Sequence, residues 1–329
     1  MFLVDFKIVF LAETLLLLII LYFGRHFLKK RILELFSRTK IPPFYLQGFR
    51  FLLGLLLMER LYGSYYYEST LFIRPTSFFR IDTIFDLFFY SDYRFIILIV
   101  IPLIFVALFV FEWKPRLTST VVFLYSVIGG TIGATLSLGK IPHVFHMTAL
   151  MLLGFLFYYW FYYSSWHKVN RSSEWMIVPI LLFFIGTIYG SSFMSKMSYV
   201  SEAPKWFTGQ AVQSAIVEGH YQRLLTVNQD RDIGILSPIP QFVLNHKPLA
   251  YLLGIGTLLI EFSSLLLLVV SSRLRLLILI SLMIFNVGTA ILILAHFHFV
   301  RNILVLVYII IWASYNAFPG RILQKDSHD

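Results

Sequence analysis

The sequence predicts an all-α fold: a polytopic bundle of about nine membrane-spanning helices with an extramembrane loop region at 196–246. Three observations predict it. Of the 329 residues, 58% are hydrophobic and only 13% are charged, about half the charge of soluble domains. The apolar residues come in repeated runs near the ~20 residues that a membrane-crossing helix needs. Aromatic and basic residues flank those runs, as interfacial anchors do. The net charge of +10 would suggest nucleic acid in a soluble chain. Here an excess of Lys and Arg on one side of the spans accounts for most of it, so membrane lipid is the expected partner and no nucleic acid is expected. The chain has no cysteine, which excludes disulfides, thiolate metal sites and thiol nucleophiles.

The first run, about 8–24, has no basic stretch ahead of it and reads as a retained helix, not a cleaved signal. A basic block follows (Arg25, Lys29, Lys30, Arg31, Arg38, Lys40) with Leu28, Ile32, Leu35 and Phe36 interleaved. It reads as an amphipathic segment on the cytoplasmic surface, closed by Pro42 and Pro43. Residues 1–43 thus form an N-terminal segment, 44–318 the main membrane domain and 319–329 a short polar tail. The second span, about 44–61, contains Arg50, whose charge must be paired or solvated and therefore faces the protein interior. Residues 64–93 are aromatic and mixed in charge, and read as interfacial helices or a partly buried excursion. The third span, about 94–111, ends at Trp113-Lys114-Pro115-Arg116. The fourth, about 117–138, carries Gly129, Gly130, Gly133 and Ser137, which allow close helix approach or leave room for a ligand.

His143 and His146 mark the turn into a fifth span, about 147–163. Three residues apart, they share one helical face. They could ligate a metal, but no obvious third ligand accompanies them, and no metal is predicted. The sixth span, about 175–193, leads to Lys196. The polar stretch beyond it opens with an amphipathic pattern over 206–225, then turn residues at Asn228-Gln229-Asp230, Ser237-Pro238 and Pro240. The seventh span, about 248–270, has Glu261 near its middle and is closed by Arg273 and Arg275. A carboxylate there is either part of a functional site or a buried partner for Arg50 or a hydroxyl. The eighth, about 276–294, contains Asn286. His296, His298 and Arg301 make a short turn before the ninth, about 302–318. Alternating these spans puts the basic loops in the cytoplasm, the N-terminus outside, and Lys196, His143, His146 and His298 together at the external face.

Lys196 is the lone lysine at the end of its run, with Trp206 and Gly209 following where a polar segment starts. One reading is a snorkelling side chain, its stem in lipid and its ammonium among headgroups. The other is a lysine in a partly dry cavity, where the neutral amine becomes available as a base.

The order Gly190…Lys196…Trp206…Gly209 resembles the glycine–lysine–tryptophan–glycine signature of the horizontally transferred transmembrane domain family, which includes the membrane part of vitamin K-dependent gamma-glutamyl carboxylase. Other segments fall in the family's order. Phe49-Arg50 and Gly54-Leu55 look like its arginine–glycine opening, His143 or His146 like its histidine before a span, and Glu261 like its acidic residue within a span. Phe285-Asn286 stands where the family has phenylalanine–histidine. The resemblance covers roughly 44–318. It implies Lys196 as the base that deprotonates reduced vitamin K or another membrane quinone, with His143 or His146 assisting. The oxygenated quinone then removes a proton from the gamma-carbon of a glutamate in an exported peptide, and carbon dioxide adds there. Trp206, Gly209, Arg50, Glu261 and Asn286 would hold the cofactor, with Glu261 a structural or electrostatic partner. Stand-alone members imply a multi-pass protein of a bacterial or archaeal cytoplasmic membrane. A non-catalytic membrane protein binding a lipid, quinone or partner peptide, in maturation, immunity or transport, is the alternative.

Overall fold

The computed structural model describes residues 34, 36, 41, 44–70, 93–136, 145–161, 175–198, 203–226, 238–293 and 298–318. Every element among them is helical: α1 (Tyr45–Thr70), α2 (Ile101–Val110, entered through a π turn at Ile96–Val100), α3 (Pro115–Leu136), α4 (Phe145–Phe161), α5 (Ile177–Ser198), α6 (Ala203–Phe207), α7 (Gln210–Thr226), α8 (Pro238–Asn245), α9 (Lys247–Ser264), α10 (Ser272–Ile293) and α11 (His298–Ala317). The chain falls into two units, one of residues 40–184 and one of residues 1–39 with 185–329, the boundary lying within α5.

Among the described residues, three helices are long and apolar enough to cross a membrane: Ile177–Met197, Ser272–Leu292 and Val300–Ala317. A fourth results if α8 and α9, bent by 99° at their junction, make one broken span. Ile96–Val110 and Met147–Phe161 are apolar but shorter. The described residues therefore contain a helical bundle with several membrane-compatible helices, not the nine spans expected from the sequence. Arg50, Glu59 and Arg60 keep α1 out of that set. The expected first span at 8–24, the basic block apart from the apolar Phe36, and most of the 64–93 excursion lie outside the described residues or have undescribed side chains.

In the 40–184 unit, α1 presents Phe49, Leu53, Leu57 and Leu61, spaced four apart and essentially without solvent exposure. This i, i+4 ridge runs along one helix face and packs into grooves of its neighbours. Gly54 lies so close to Val106 of α2 that a methyl group there would collide with it. Phe49, Phe109, Phe155 and Tyr159 interlock as an aromatic core, with Phe109 edge-on to Phe155 at 5.6 Å.

In the other unit, α10 and α11 pack as an antiparallel hairpin, with α9 beside α10. Two features differ from the sequence expectation. The pattern over 206–225 is not one helix, because the chain breaks at Gly209, whose φ of +74° ends α6 and starts α7. Pro238 and Pro240 are not turn residues: Pro238 opens α8, where its missing N–H costs nothing and its fixed φ suits the first turn. Val212, Ile216, Val243 and Ala250 bury together, with Trp206 packed against them, and tie α6–α8 to the start of α9.

Candidate functional site

Lys196 sits in the last turn of α5, and its ammonium turns inward to Glu261 of α9 in an ion pair. Lys196 Nζ also donates to Ser192 Oγ at 2.9 Å, and Ser192 Oγ donates to Glu261 Oε1 at 2.9 Å. The three groups close a triangle of cation, carboxylate and hydroxyl. Ser192 and Lys196 are four apart, so one face of α5 presents both. The Glu261 side chain is 2% exposed and that of Lys196 16%. Trp206 covers the ammonium, its ring centroid 4.5 Å from Nζ. A cation over an indole face is held electrostatically, the more so when desolvated. Among the described residues nothing donates to Glu261 Oε2, which is buried. A buried carboxylate oxygen without a donor is costly, so the site has an acceptor to spare.

The glycines around the site are closely packed, Gly190 by a side chain and Gly254 and Gly209 by backbone. Gly190 faces Leu265 with no room for a β-carbon. Gly254 of α9 meets the Trp206 carbonyl just as closely. At Gly209 a β-carbon would lie 2.6 Å from the Ala250 carbonyl carbon and the Tyr251 nitrogen, in a left-handed conformation that already favours glycine. Gly190, Lys196, Trp206 and Gly209 thus belong to one local structure: the end of α5 lies against α9, and α6 holds the indole of Trp206 over the lysine.

Comparison with protein-family models, curated proteins and solved structures finds no match.

Asn286 lies on α10 in the same unit and is buried. Its Nδ2 donates to Tyr189 Oη at 2.6 Å and to Leu282 O at 2.7 Å, and Asn302 Nδ2 donates to its Oδ1 at 3.4 Å. Tyr189, Ser192 and Lys196 recur at spacings of three and four along α5, so they share a face. Sequence reasoning missed Tyr189 and Ser192, although that 189/192/196 spacing was readable.

Arg50 belongs to the other unit and to a second triangle. Its Nη1 pairs with Glu112 and donates to Tyr159 Oη at 2.8 Å, and Tyr159 Oη donates to Glu112 Oε1 at 3.0 Å. Arg50 is 4% exposed, as the rule for charges in apolar helices requires. The expectation of Arg50 as a buried partner for Glu261 is corrected: each finds its counter-ion inside its own unit, and of the alternatives weighed for Glu261 the hydroxyl is present, as Ser192. Arg273 and Arg275 are likewise not a loop closing the seventh span. Both lie in the first turn of α10, and Arg275 is buried. His143 lies outside the described residues. His146 is the second residue of α4 and His298 the first of α11, and their side chains are not described.

Proposed function

We propose that this chain is a multi-pass integral membrane protein of the kind its sequence resembles, the horizontally transferred transmembrane domain family, and that Lys196 is its proton-accepting group. The observation that supports this best is the Lys196–Glu261–Ser192 triangle under Trp206, in which Lys196, Trp206 and Glu261 stand in the family's order. A lysine merely snorkelling to headgroups would point outward. This one points to a carboxylate that is almost wholly buried.

The chain's own groups can manage a proton. Transfer from the Lys196 ammonium to Glu261 leaves an amine and a carboxylic acid, and a dry site tolerates two neutral groups better than one unpaired charge. Ser192 touches both, and can hold the amine in place as the ion pair loosens. Trp206 restricts the approach of water to the nitrogen. A reduced quinone fits this donor set in one respect: Glu261 Oε2 is a buried acceptor without a donor among the described residues, and a ring hydroxyl is a donor. When bound, such a group supplies a weakly acidic hydroxyl and the redox chemistry that glutamate carboxylation requires. Lys196, Glu261 and Trp206 would hold it. A polar substrate such as an exported peptide and a lipid-soluble cofactor would meet at the end of α5.

The test is mass spectrometry of peptides exported by cells carrying the native protein or Lys196→Ala, with labelled bicarbonate supplied. Label on glutamate with the native protein alone supports the reading. Unlabelled, identical peptides from both strains, with both proteins accumulating equally, overturn it. A second reading is favoured by the same closed triangle: a structural clasp between α5 and α9 in a non-catalytic protein that binds a lipid, quinone or partner peptide. Full recovery of folding and phenotype in Lys196→Met/Glu261→Leu would establish that clasp.

A further inference from the structure

Among the described residues, the non-glycine residues with a left-handed backbone are Phe44 (φ +60°), Glu112 (φ +57°) and Lys114 (φ +42°). All three lie at one end of the 40–184 unit. Phe44 precedes α1, and Glu112 and Lys114 lie in the link between α2 and α3. The ion pair of Arg50 with Glu112 brings that link to the second turn of α1. Arg116 ties the start of α3 to the last turn of α4, its Nε donating to the Tyr159 carbonyl at 3.1 Å.

A left-handed backbone is unfavourable for residues other than glycine. At Glu112 the side chain offsets that cost by pairing with the buried Arg50. At Phe44 and Lys114 the backbone gives part of the offset: their carbonyls accept the Gly48 N–H at 2.9 Å and the Thr118 N–H at 3.1 Å, where α1 and α3 begin. Their side chains are turned outward instead of into the core. Phe44 is 83% exposed, and Lys114 is exposed with its ammonium 4.7 Å from the centre of the Trp113 ring.

Phe111, Trp113, Trp160 and Phe161 are exposed at the same end, Phe111 by 73%. Scattered exposed apolar residues are ordinary, but a cluster of large ones marks a surface that meets something other than water. Tryptophans and a stem-bearing cation are the composition of the headgroup layer, where an apolar body lies in acyl chains and a polar tip in water. The helices leading to this end continue the pattern, with Leu103 and Ile104 of α2 and Leu124 of α3 exposed along their lengths. Among the described residues α1–α4 include none of the helices long and apolar enough to cross a membrane, so length alone would leave this unit out of the bilayer.

We propose that this end of the 40–184 unit is a membrane-surface anchor. Phe44, Phe111, Trp113 and Phe161 enter the boundary between acyl chains and headgroups of a phospholipid leaflet, and Lys114 meets its phosphates. The proposal rests on the reading of the chain as an integral membrane protein and on no chemistry at Lys196.

The chain has no cysteine, so each single-cysteine variant carries one spin label. Phe44→Cys, Phe111→Cys, Lys114→Cys and Leu103→Cys, with Ile284→Cys on exposed α10 surface, are labelled in the full chain and reconstituted into vesicles of phosphatidylcholine and phosphatidylglycerol. Collision with oxygen, which concentrates among acyl chains, is compared with collision with a nickel chelate confined to water. Leu103 lies eight residues before Phe111, about 12 Å along the helix. The oxygen-to-nickel ratio should be highest at Leu103 and Ile284, several-fold lower at Phe44 and Phe111, and lowest at Lys114. Tm shows that each labelled variant folds, and Phe44 and Phe111 report independently. Ratios at Phe44 and Phe111 equal to that at Lys114 overturn the anchor, because that end then stands in water. Labels there shielded from both reagents also overturn it, because protein, such as a second copy of this chain, then covers them. Water contact at Leu103 with lipid contact at Ile284 removes this unit from the bilayer, and the anchor with it, while α10 remains in the membrane. Water contact at both overturns the membrane reading itself.

Discussion

Lys196 and Glu261, 65 positions apart, meet as an ion pair that joins the end of α5 to α9, with Ser192 bonded to both. The pair is buried on the carboxylate side and partly open on the amine side. Removing one partner should therefore differ from removing both. Glu261→Leu leaves an ammonium facing a dry cavity and should cost about 3–5 kcal/mol, whereas Lys196→Met/Glu261→Leu should recover most of that loss. Thermal unfolding in detergent measures it. Equal destabilisation by the single and double variants would mean that the pair contributes little.

Much of this arrangement was legible in the sequence, and the reason differs by residue. Helices at 177–198, 272–293 and 298–317 follow from long apolar runs, which report burial whatever the neighbours. The inward turn of Arg50 follows from the cost of a charge in an apolar helix. Its partner could not be read. Glu112 sits beside Trp113 and Lys114 and looks like part of an interfacial turn, because pairing across helices leaves no trace in local pattern. The break at Gly209 was hidden for a similar reason: a glycine in an amphipathic pattern becomes a turn only when another backbone, here that of Ala250 and Tyr251, comes close. The triangle around Lys196 was half visible, with the lysine, tryptophan and carboxylate in order but the bridging Ser192 unnoticed among other serines.

Trp206 should control access to the lysine. Its ring lies over the ammonium, an interaction worth about 0.5–2 kcal/mol. Trp206→Leu keeps an apolar side chain and removes the π face. Acylation of Lys196 by a water-soluble amine reagent, followed by peptide mass mapping, should become several-fold faster. An unchanged rate would show that Glu261 and Ser192 alone protect the amine.

Two glycines offer a matched comparison. Gly209→Ala forces a β-carbon into the backbone of α9 at a positive φ, so the protein should lose several kcal/mol or fail to accumulate. Gly256→Ala, on α9 with nothing within 4 Å of the new methyl, should be neutral or gain up to about 1 kcal/mol from helix propensity. Expression level and Tm of the two variants check the contrast. Equal behaviour would remove the close approach of the 206–209 turn to α9.

The end of α2 makes the last prediction, because there two costs oppose each other. Trp113 N–H bonds the Leu108 carbonyl at 2.9 Å and Glu112 N–H bonds the Phe109 carbonyl at 3.2 Å, the pair of bonds that defines a Schellman cap with Glu112 at its left-handed position. Glycine is the usual residue there, and a φ of +57° costs a glutamate about 1–2 kcal/mol. The side chain offsets this by holding Arg50 and Tyr159. Glu112→Gly relieves the backbone but leaves a buried guanidinium with only a phenol, so it should still destabilise, by about 1–3 kcal/mol. Arg50→Met/Glu112→Gly removes the charge as well as the strain and should match or exceed the wild type. Tyr159→Phe, which deletes a hydroxyl bonded to both charges, should cost about 1.5–3 kcal/mol. Unfolding measurements on these three variants and Arg50→Met complete the cycle. A Glu112→Gly protein more stable than the wild type would mean that the backbone strain outweighs the ion pair.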